Sequence, residues 1–115
     1  MSDIKKLIEE VVKFRNEREW QHFHKPKDMA ISLALEAAEV LEHFQWKTEE
    51  EVEQYLKTHK EHIADELSDV LWWVLLMSHD LEIDIYKAFL RKKKKNEEKY
   101  PIEKSRGTHK KYTEL

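Results

Sequence analysis

Ile63-Ala-Asp-Glu-Leu-Ser-Asp-Val-Leu-Trp-Trp-Val-Leu-Leu-Met77 is one of the two most apolar stretches in this chain, and Ala30-Ile-Ser-Leu-Ala-Leu-Glu-Ala-Ala-Glu-Val-Leu41 is the other. Both stretches are too apolar to place only one stripe against a core, so we predict two interior helices. Each stretch carries an acidic pair at spacing three, which puts both acids of a pair on one helix face. The pairs are Glu36 with Glu39 and Glu66 with Asp69.

These four carboxylates need a positive partner that the two motifs do not contain. Burying an unpaired carboxylate costs several kcal/mol even after relaxation, and no Lys or Arg lies within either motif. A divalent cation would neutralise them, and oxygen donors alone are the ligands that Mg²⁺ prefers. We therefore predict a Mg²⁺ site, with Mn²⁺ as the alternative ion, formed by Glu36, Glu39, Glu66 and Asp69.

The composition favours a single all-helical domain. The chain has 115 residues, of which 39% are charged and 40% hydrophobic, with one Gly and two Pro. So little Gly and Pro leaves no material for hairpins or for the glycine-rich loops of P-loop and Rossmann nucleotide sites. The absence of Cys excludes disulfides and thiolate metal sites.

Charge and hydropathy exclude two classes of partner. The net charge of −3 provides no overall attraction to nucleic acid or to an acidic membrane surface. The apolar runs are shorter than the ~20 residues that cross a bilayer, and the N-terminus lacks the apolar region of a signal peptide. We expect a cytoplasmic protein that binds neither nucleic acid nor membrane.

Hydrophobic periodicity and capping residues predict four long helices. The first is expected over residues 2–18, followed by an aromatic loop over residues 19–27. Asp28 is the expected N-cap of the second helix, which should run from Met29 to Trp46. A capping box at Thr48 and Glu51 should open a short polar helix that ends near His59, before a third long helix that ends near Asp80. The fourth is expected over residues 84–100.

Short connections between long helices indicate an antiparallel four-helix bundle. Residues 1–101 would form this domain, and residues 102–115 an extended basic C-terminal tail. Packing the second helix against the third would bring the two acidic pairs together. These helices carry more apolar surface than a chain of this length can cover, so we also predict a homo-oligomer.

Two other interpretations remain open from the residues alone. In a non-catalytic helical interaction module the acids would be solvated and the apolar faces would bind a partner. In a di-iron or di-manganese redox bundle two helices would carry Glu-x-x-His. Neither acidic pair contains His, since His43 lies four residues after Glu39 and His62 four before Glu66. That spacing favours a hard cation over redox chemistry.

An all-carboxylate Mg²⁺ site predicts a polyphosphate substrate, because protein-bound Mg²⁺ usually also binds substrate phosphates. Lys92 and Asn96 lie four residues apart on the fourth helix, on one face, where they can reach a phosphate tail. Trp20 and Trp46 lie where neither has a strong packing reason, and an aromatic face suits a nucleobase. His24 lies in the same aromatic loop as Trp20.

Longer motifs extend this interpretation. They are Phe14-Arg-Asn-Glu-Arg-Glu-Trp-Gln-His-Phe-His-Lys-Pro26, Glu42-His-Phe-Gln-Trp46, Asp65-Glu-Leu-Ser-Asp-Val70, Tyr100-Pro101, and Ser105-Arg-Gly through Lys111-Tyr-Thr-Glu-Leu115. With the two acidic pairs, thirty residues apart, they resemble the MazG-like all-α nucleoside triphosphate pyrophosphohydrolases over nearly the whole chain. The resemblance is strongest to the dCTP pyrophosphatase (dCTP diphosphatase) branch of that family.

The resemblance implies a Mg²⁺-dependent hydrolase that converts dCTP or a related, modified (d)NTP to monophosphate and pyrophosphate, a house-cleaning reaction of the nucleotide pool. It implies a dimer or a dimer of dimers (homotetramer). It makes the four acids metal-binding and catalytic, and it assigns substrate contacts to Trp20, His24, Trp46, Trp73, Lys92 and Asn96. Trp73 departs from the Tyr, and Val11 from the His, of some relatives, and the connection from Trp46 to Ile63 is short. These departures bear on nucleotide preference.

Overall fold

The computed structural model describes residues 2–115, and every regular element of this range is helical. The predicted all-α fold is therefore confirmed. The helices are α1 (Asp3–Glu17), α2 (Pro26–Glu42), α3 (Glu49–Asp80), α4 (Ile85–Lys99) and α5 (Ile102–Ser105), with 3₁₀ turns at Gln21–Phe23 and Tyr112–Glu114. The chain divides into two compact units, with the boundary after Glu82. No helix in the described range is long and apolar enough to cross a membrane.

Side-chain caps begin three of the long helices where the sequence predicts them. The side chain of Ser2 accepts a hydrogen bond from the Lys5 N–H at the start of α1. Thr48 and Glu51 form a full capping box at the start of α3. Asp84 accepts from the Lys87 N–H at the start of α4. Each cap satisfies an N–H that the first helical turn leaves without a partner.

The bounds of α2 differ from the prediction at both ends. It begins at Pro26, because a proline at the first helical position has the right φ and no N–H to leave unpaired. Lys25 is the extended N-cap residue, and Asp28 lies inside the first turn instead. The helix ends at Glu42, four residues early, and Trp46 in the following turn has a left-handed φ of 70°.

The prediction of a separate short helix before the third long helix was wrong. Residues 49 to 80 form one continuous helix of 32 residues. The polar segment around His59 and Lys60 contains no Gly or Pro, and its residues are tolerated in a helix interior. Polarity alone therefore does not end this helix.

In the first unit α3 packs against both α2 and α1, and the α2 contact is the larger. The connection between α2 and α3 is short, so the two helices are antiparallel neighbours. The core consists of Val11, Met29, Leu75 and Leu76, with further apolar side chains of α1 and α3 packed around it. Met29 and Leu76 are the two fully buried side chains, so the C-terminal half of α3 is the best packed.

The expectation that both apolar stretches are interior is wrong for a single copy of the chain. Between 41% and 61% of each of five aliphatic side chains is exposed on α2 and α3: Ile31, Leu35, Leu41, Leu67 and Leu71. One face of each stretch packs within the unit, and the other faces outward.

The second unit contains α4, α5 and the C-terminal residues. Residues 102–115, which are predicted to form an extended tail, include α5 and a 3₁₀ turn instead. Pro101 ends α4 and precedes the single turn of α5, and Gly107 then adopts a left-handed φ of 77°. Tyr112 packs edge-on against Tyr100 at 6.1 Å between ring centroids, and the Lys99 ammonium lies 4.8 Å from the Tyr112 ring. Those contacts order the C-terminal residues on the end of α4.

Candidate active site

The two acidic pairs lie on the two helices that pack most extensively in the first unit. Glu36 and Glu39 are one turn apart on α2, and Glu66 and Asp69 are one turn apart on α3. Glu36 and Glu66 are half-buried, whereas Glu39 and Asp69 are exposed. The structure brings the pairs close enough for the charges of Glu39, Glu66 and Asp69 all to act on Glu36.

Glu36 is the acid that the surroundings perturb most clearly. Burial raises the pKa of the Glu36 carboxyl, and the hydrogen bond with Glu39 and the negative charges of Glu39, Asp69 and Glu66 raise it further. Its Oε2 is buried and has no hydrogen-bond partner in the described structure. A buried oxygen without a partner is costly, and a bound cation would both pair with it and relieve the repulsion.

The donor set fits a hard divalent cation, because all four acids offer only carboxylate oxygens. Within residues 2–115, no three His, Asp or Glu side chains already surround one metal position. The acids are close enough for their charges to interact, but their carboxylates do not converge on one metal position in this structure.

An aromatic depression of about 440 Å³ opens beside the acids and is lined by Phe14, Glu36, Asp69, Trp72 and Trp73. The Phe14 ring meets Trp72 edge-on at 5.0 Å between centroids. Two carboxylates and three aromatic side chains thus share one open surface, where the carboxylates suit a cation and the aromatic rings suit a flat apolar group.

Two residues of the aromatic loop adjoin this depression. Trp20 packs edge-on against Phe14 at 5.9 Å, and His24 packs edge-on against Trp73 at 5.1 Å. Burial lowers the pKa of His24, with the positive charge of Arg15 acting in the same direction and Asp80 opposing it. The His24 Nδ1 is buried and makes no hydrogen bond in the described structure, so it can pair with a polar ligand atom.

Of the predicted substrate residues, Trp73 lines the depression, Trp20 and His24 adjoin it, and the other three do neither. Trp46 lies in the turn after α2 with 91% of its surface exposed. Lys92 and Asn96 belong to the second unit, where they share a pocket with Phe89, Lys93, Glu97 and Tyr100. Spacing four does place Lys92 and Asn96 on one face of α4, as expected.

Sequence reasoning missed four residues at this site. Phe14 and Trp72 line the depression, although the sequence alone gives neither of them a role in substrate binding. His43 and Tyr55 were not assigned to the site, although His43 contacts the Glu66 carboxylate. The one available signal for His43 is its position one turn beyond Glu39. Tyr55 has no such signal, because its approach to His43 depends on the turn between α2 and α3.

A buried ion pair holds α1 beside the depression. Arg15 donates two hydrogen bonds to Asp80 at the end of α3, from Nη1 to Oδ2 at 2.6 Å and from Nη2 to Oδ1 at 2.8 Å. The hydrogen bonds from Arg15 lower the pKa of Asp80; burial opposes this and His79 adds to it. Since Arg15 follows Phe14 in the chain, the pair fixes the wall of the depression.

Comparisons with known proteins agree with this geometry. The sequence model of the MazG-like family matches residues 31–115. The chain belongs to the MazG-like family. This membership confirms the resemblance stated from the motifs, and the matched range contains α3, α4, α5 and the C-terminal part of α2.

Two curated relatives and one solved structure show the enzyme class of this MazG-like protein. It is 36% identical to the dCTP pyrophosphatase 1 proteins of Rattus norvegicus and of Homo sapiens, covering all of this chain and 67% of each relative. A crystal structure of a pyrophosphatase from Archaeoglobus fulgidus, also 36% identical, superposes with a TM-score of 0.81 over 88% of this chain and 94% of that one. The prediction of a nucleotide pyrophosphohydrolase is thereby confirmed, and the alternatives of an interaction module and a redox bundle find no support among these relatives.

Proposed function

We propose that this MazG-like protein hydrolyses dCTP, or a related base-modified (d)NTP, to the monophosphate and pyrophosphate with the help of Mg²⁺ or Mn²⁺. The observation that carries the proposal is the unpartnered, buried Glu36 oxygen among four carboxylates, beside an aromatic depression. dCTP is chosen because the curated relatives are named for it.

Glu36, Glu39, Glu66 and Asp69 would hold the cation, which supplies positive charge and Lewis acidity where the triphosphate binds. Water attacks the α-phosphorus, the bond from that phosphorus to its bridging oxygen breaks, and pyrophosphate leaves. One of the four carboxylates accepts the proton from the attacking water.

The base would lie in the aromatic depression. Trp73 and Trp20 supply flat apolar surfaces, and His24 supplies a buried nitrogen without a partner. Trp46, Lys92 and Asn96 remain proposed substrate contacts, with Lys92 and Asn96 on the phosphate side. An ammonium and an amide on one helical face suit phosphate oxygens.

We also propose a homo-oligomer, a dimer or a dimer of dimers. The exposed aliphatic side chains of α2 and α3 support it, because five of them are exposed to water in a single copy of the chain. The cytoplasmic location and the boundary at residue 101 stay predictions.

A nucleotide panel tests the reaction. Purified protein with Mg²⁺ should hydrolyse dCTP and 5-modified dCTP faster than dATP or dGTP, releasing monophosphate and pyrophosphate in equal amounts. Hydrolysis in ¹⁸O-labelled water should place the label in the monophosphate. Label in orthophosphate, with none in the monophosphate, would contradict attack at the α-phosphorus.

A further inference from the structure

Two side chains outside the four acids, Tyr55 and His43, form a series of contacts that ends on Glu66, a proposed metal ligand. The Tyr55 hydroxyl contacts Nδ1 of His43, and Nε2 of the same ring contacts Oε2 of Glu66. The His43 side chain is 11% exposed and the Glu66 side chain 27% exposed, so the contact is largely shielded from water. We propose that His43, supported by Tyr55, is a positioning residue that fixes the Glu66 carboxylate for cation binding; this inference rests on the proposed function.

The chemistry of the three groups sets which atom carries the hydrogen at each of these two contacts. An ionised carboxylate can only accept, so Nε2 of His43 carries the hydrogen that faces Glu66. In the neutral ring Nδ1 then has a free lone pair, and the Tyr55 hydroxyl is the donor that it meets. Both ring nitrogens of His43 are thus occupied, which makes the histidine a support for a ligand and not a ligand itself.

Two further contacts hold the Tyr55 ring in place. The ring of His59 stacks on Tyr55 with 4.0 Å between centroids and 5° between planes. The Lys47 ammonium lies 4.2 Å from the centre of the same ring, at the distance of a cation–π contact. Tyr55 therefore cannot turn away from His43 without losing both contacts.

Fixing Glu66 has a direct consequence for cation binding. The contact with His43 involves Oε2 of Glu66 and not Oε1. A carboxylate that is already oriented loses less side-chain freedom when it binds an ion, and the contact with His43 restricts the positions that the Glu66 side chain can adopt. Partners that orient metal ligands in this way typically affect metal affinity or activity by about 10- to 100-fold.

Mn²⁺ binding, followed by the electron paramagnetic resonance signal of the free ion, tests the proposal apart from turnover. His43→Leu should raise the Mn²⁺ dissociation constant by about 10- to 100-fold, and Tyr55→Phe should raise it by a smaller factor. His43→Gln keeps an N–H donor near the position of Nε2 and should retain most of the affinity. His62→Leu is the matched control, because His62 is exposed and one turn from Glu66 on the same helix.

A double-mutant cycle distinguishes positioning from general support of the fold. In the Glu66→Gln background, His43→Leu should cause little further loss of Mn²⁺ affinity, because the carboxylate that it orients is gone. Metal-free thermal unfolding monitors folding, and Tyr55→Phe, which removes one oxygen, keeps the test valid if His43→Leu folds poorly.

The outcomes separate this inference from the proposed function. If the wild type binds Mn²⁺ and releases pyrophosphate, but His43→Leu and Tyr55→Phe both bind Mn²⁺ within twofold of it, the positioning role is refuted and the function stands. If the wild type neither binds Mn²⁺ nor releases pyrophosphate, both fall together.

Discussion

The candidate site depends on four individual acidic side chains, and removing the negative charge of one of them should disable the site. We expect Glu39→Gln or Asp69→Asn to lower the rate of Mg²⁺-dependent pyrophosphate release by roughly 10²-fold or more, because each removes a proposed ligand. Glu42→Gln and Asp65→Asn are matched controls, since both are exposed acids on the same helices. Retention of activity within threefold of the wild type by either test variant would contradict the metal-site assignment.

Neutralising an acid should also affect stability without metal. The pKa of Glu36 is raised because burial and its acidic neighbours disfavour its charged form. Removing the charge of Glu39 or Asp69 relieves part of that repulsion, so the metal-free variants should unfold at the same or a higher temperature than the wild type. Loss of activity without loss of stability would identify a functional residue.

Trp46 is expected to affect base selectivity and not folding. With 91% of its surface exposed, it is not a core anchor of the single chain. Stacking of an aromatic side chain on a base contributes about 1–3 kcal/mol by alanine substitution, so Trp46→Ala should lower kcat/KM for dCTP by roughly ten- to a hundredfold. Mn²⁺ affinity should stay nearly unchanged.

The control for Trp46→Ala is a set of nucleotides measured beside thermal unfolding. Ratios of kcat/KM among dCTP, dTTP and dATP should change while the unfolding temperature does not. A variant that is destabilised and equally slow on every nucleotide would make Trp46 structural.

At the scale of helices, the Arg15–Asp80 pair holds α1 against the end of α3. Asp80→Asn should lower the free energy of unfolding at neutral pH by roughly 3 kcal/mol, because it leaves the Arg15 charge buried with no ionised partner. The same change should weaken dCTP binding, since Phe14, next to Arg15, lines the depression.

The pH dependence of this pair has a definite sign. The pKa of Asp80 is lowered in the folded chain, so the contribution of the pair is fully present well above the ordinary value of 3.8. It is lost as the pH falls below that value through the folded pKa. Urea unfolding should therefore show a large difference between wild type and Asp80→Asn at neutral pH and a small one in strong acid. An equal difference at every pH would refute the ion-pair explanation, and Asp65→Asn serves as the exposed control.

The elements also show which parts of this fold are readable from sequence. The capping box at Thr48 and Glu51 is predicted, because it depends on two residues three positions apart. The continuity of α3 is not predicted, although the polar segment within it contains no breaker such as Gly or Pro.

The candidate site also contains features that the sequence predicts and features that it does not. The two acidic pairs were readable, since each pair depends on one helical turn within an apolar run. The Arg15–Asp80 pair joins residues 65 positions apart, and the Tyr55–His43–Glu66 contacts depend on how the turn between α2 and α3 folds. Such contacts have no local pattern, so only the structure reveals them.

At the scale of the whole molecule, the outward apolar face should decide the association state. Light scattering at micromolar concentration should give the mass of a dimer or a tetramer. Leu35→Lys should shift the mass toward the monomer and lower activity, because Leu35 is 61% exposed at the centre of the apolar stretch of α2. Leu7→Lys, a partly exposed site on α1, is the control. A fully active wild-type monomer would refute the oligomer.

The backbone of Trp46 has an energetic consequence of its own. A left-handed φ of 70° brings the Cβ of any residue other than glycine close to its own carbonyl group, at a cost of roughly 1–2 kcal/mol. Trp46→Gly should therefore give a single chain that is more stable than Trp46→Ala, while both lose the indole. The strain at this turn is a conformational cost of holding a tryptophan outward in water, and only favourable contacts of that indole with a ligand or another copy of the chain would offset it.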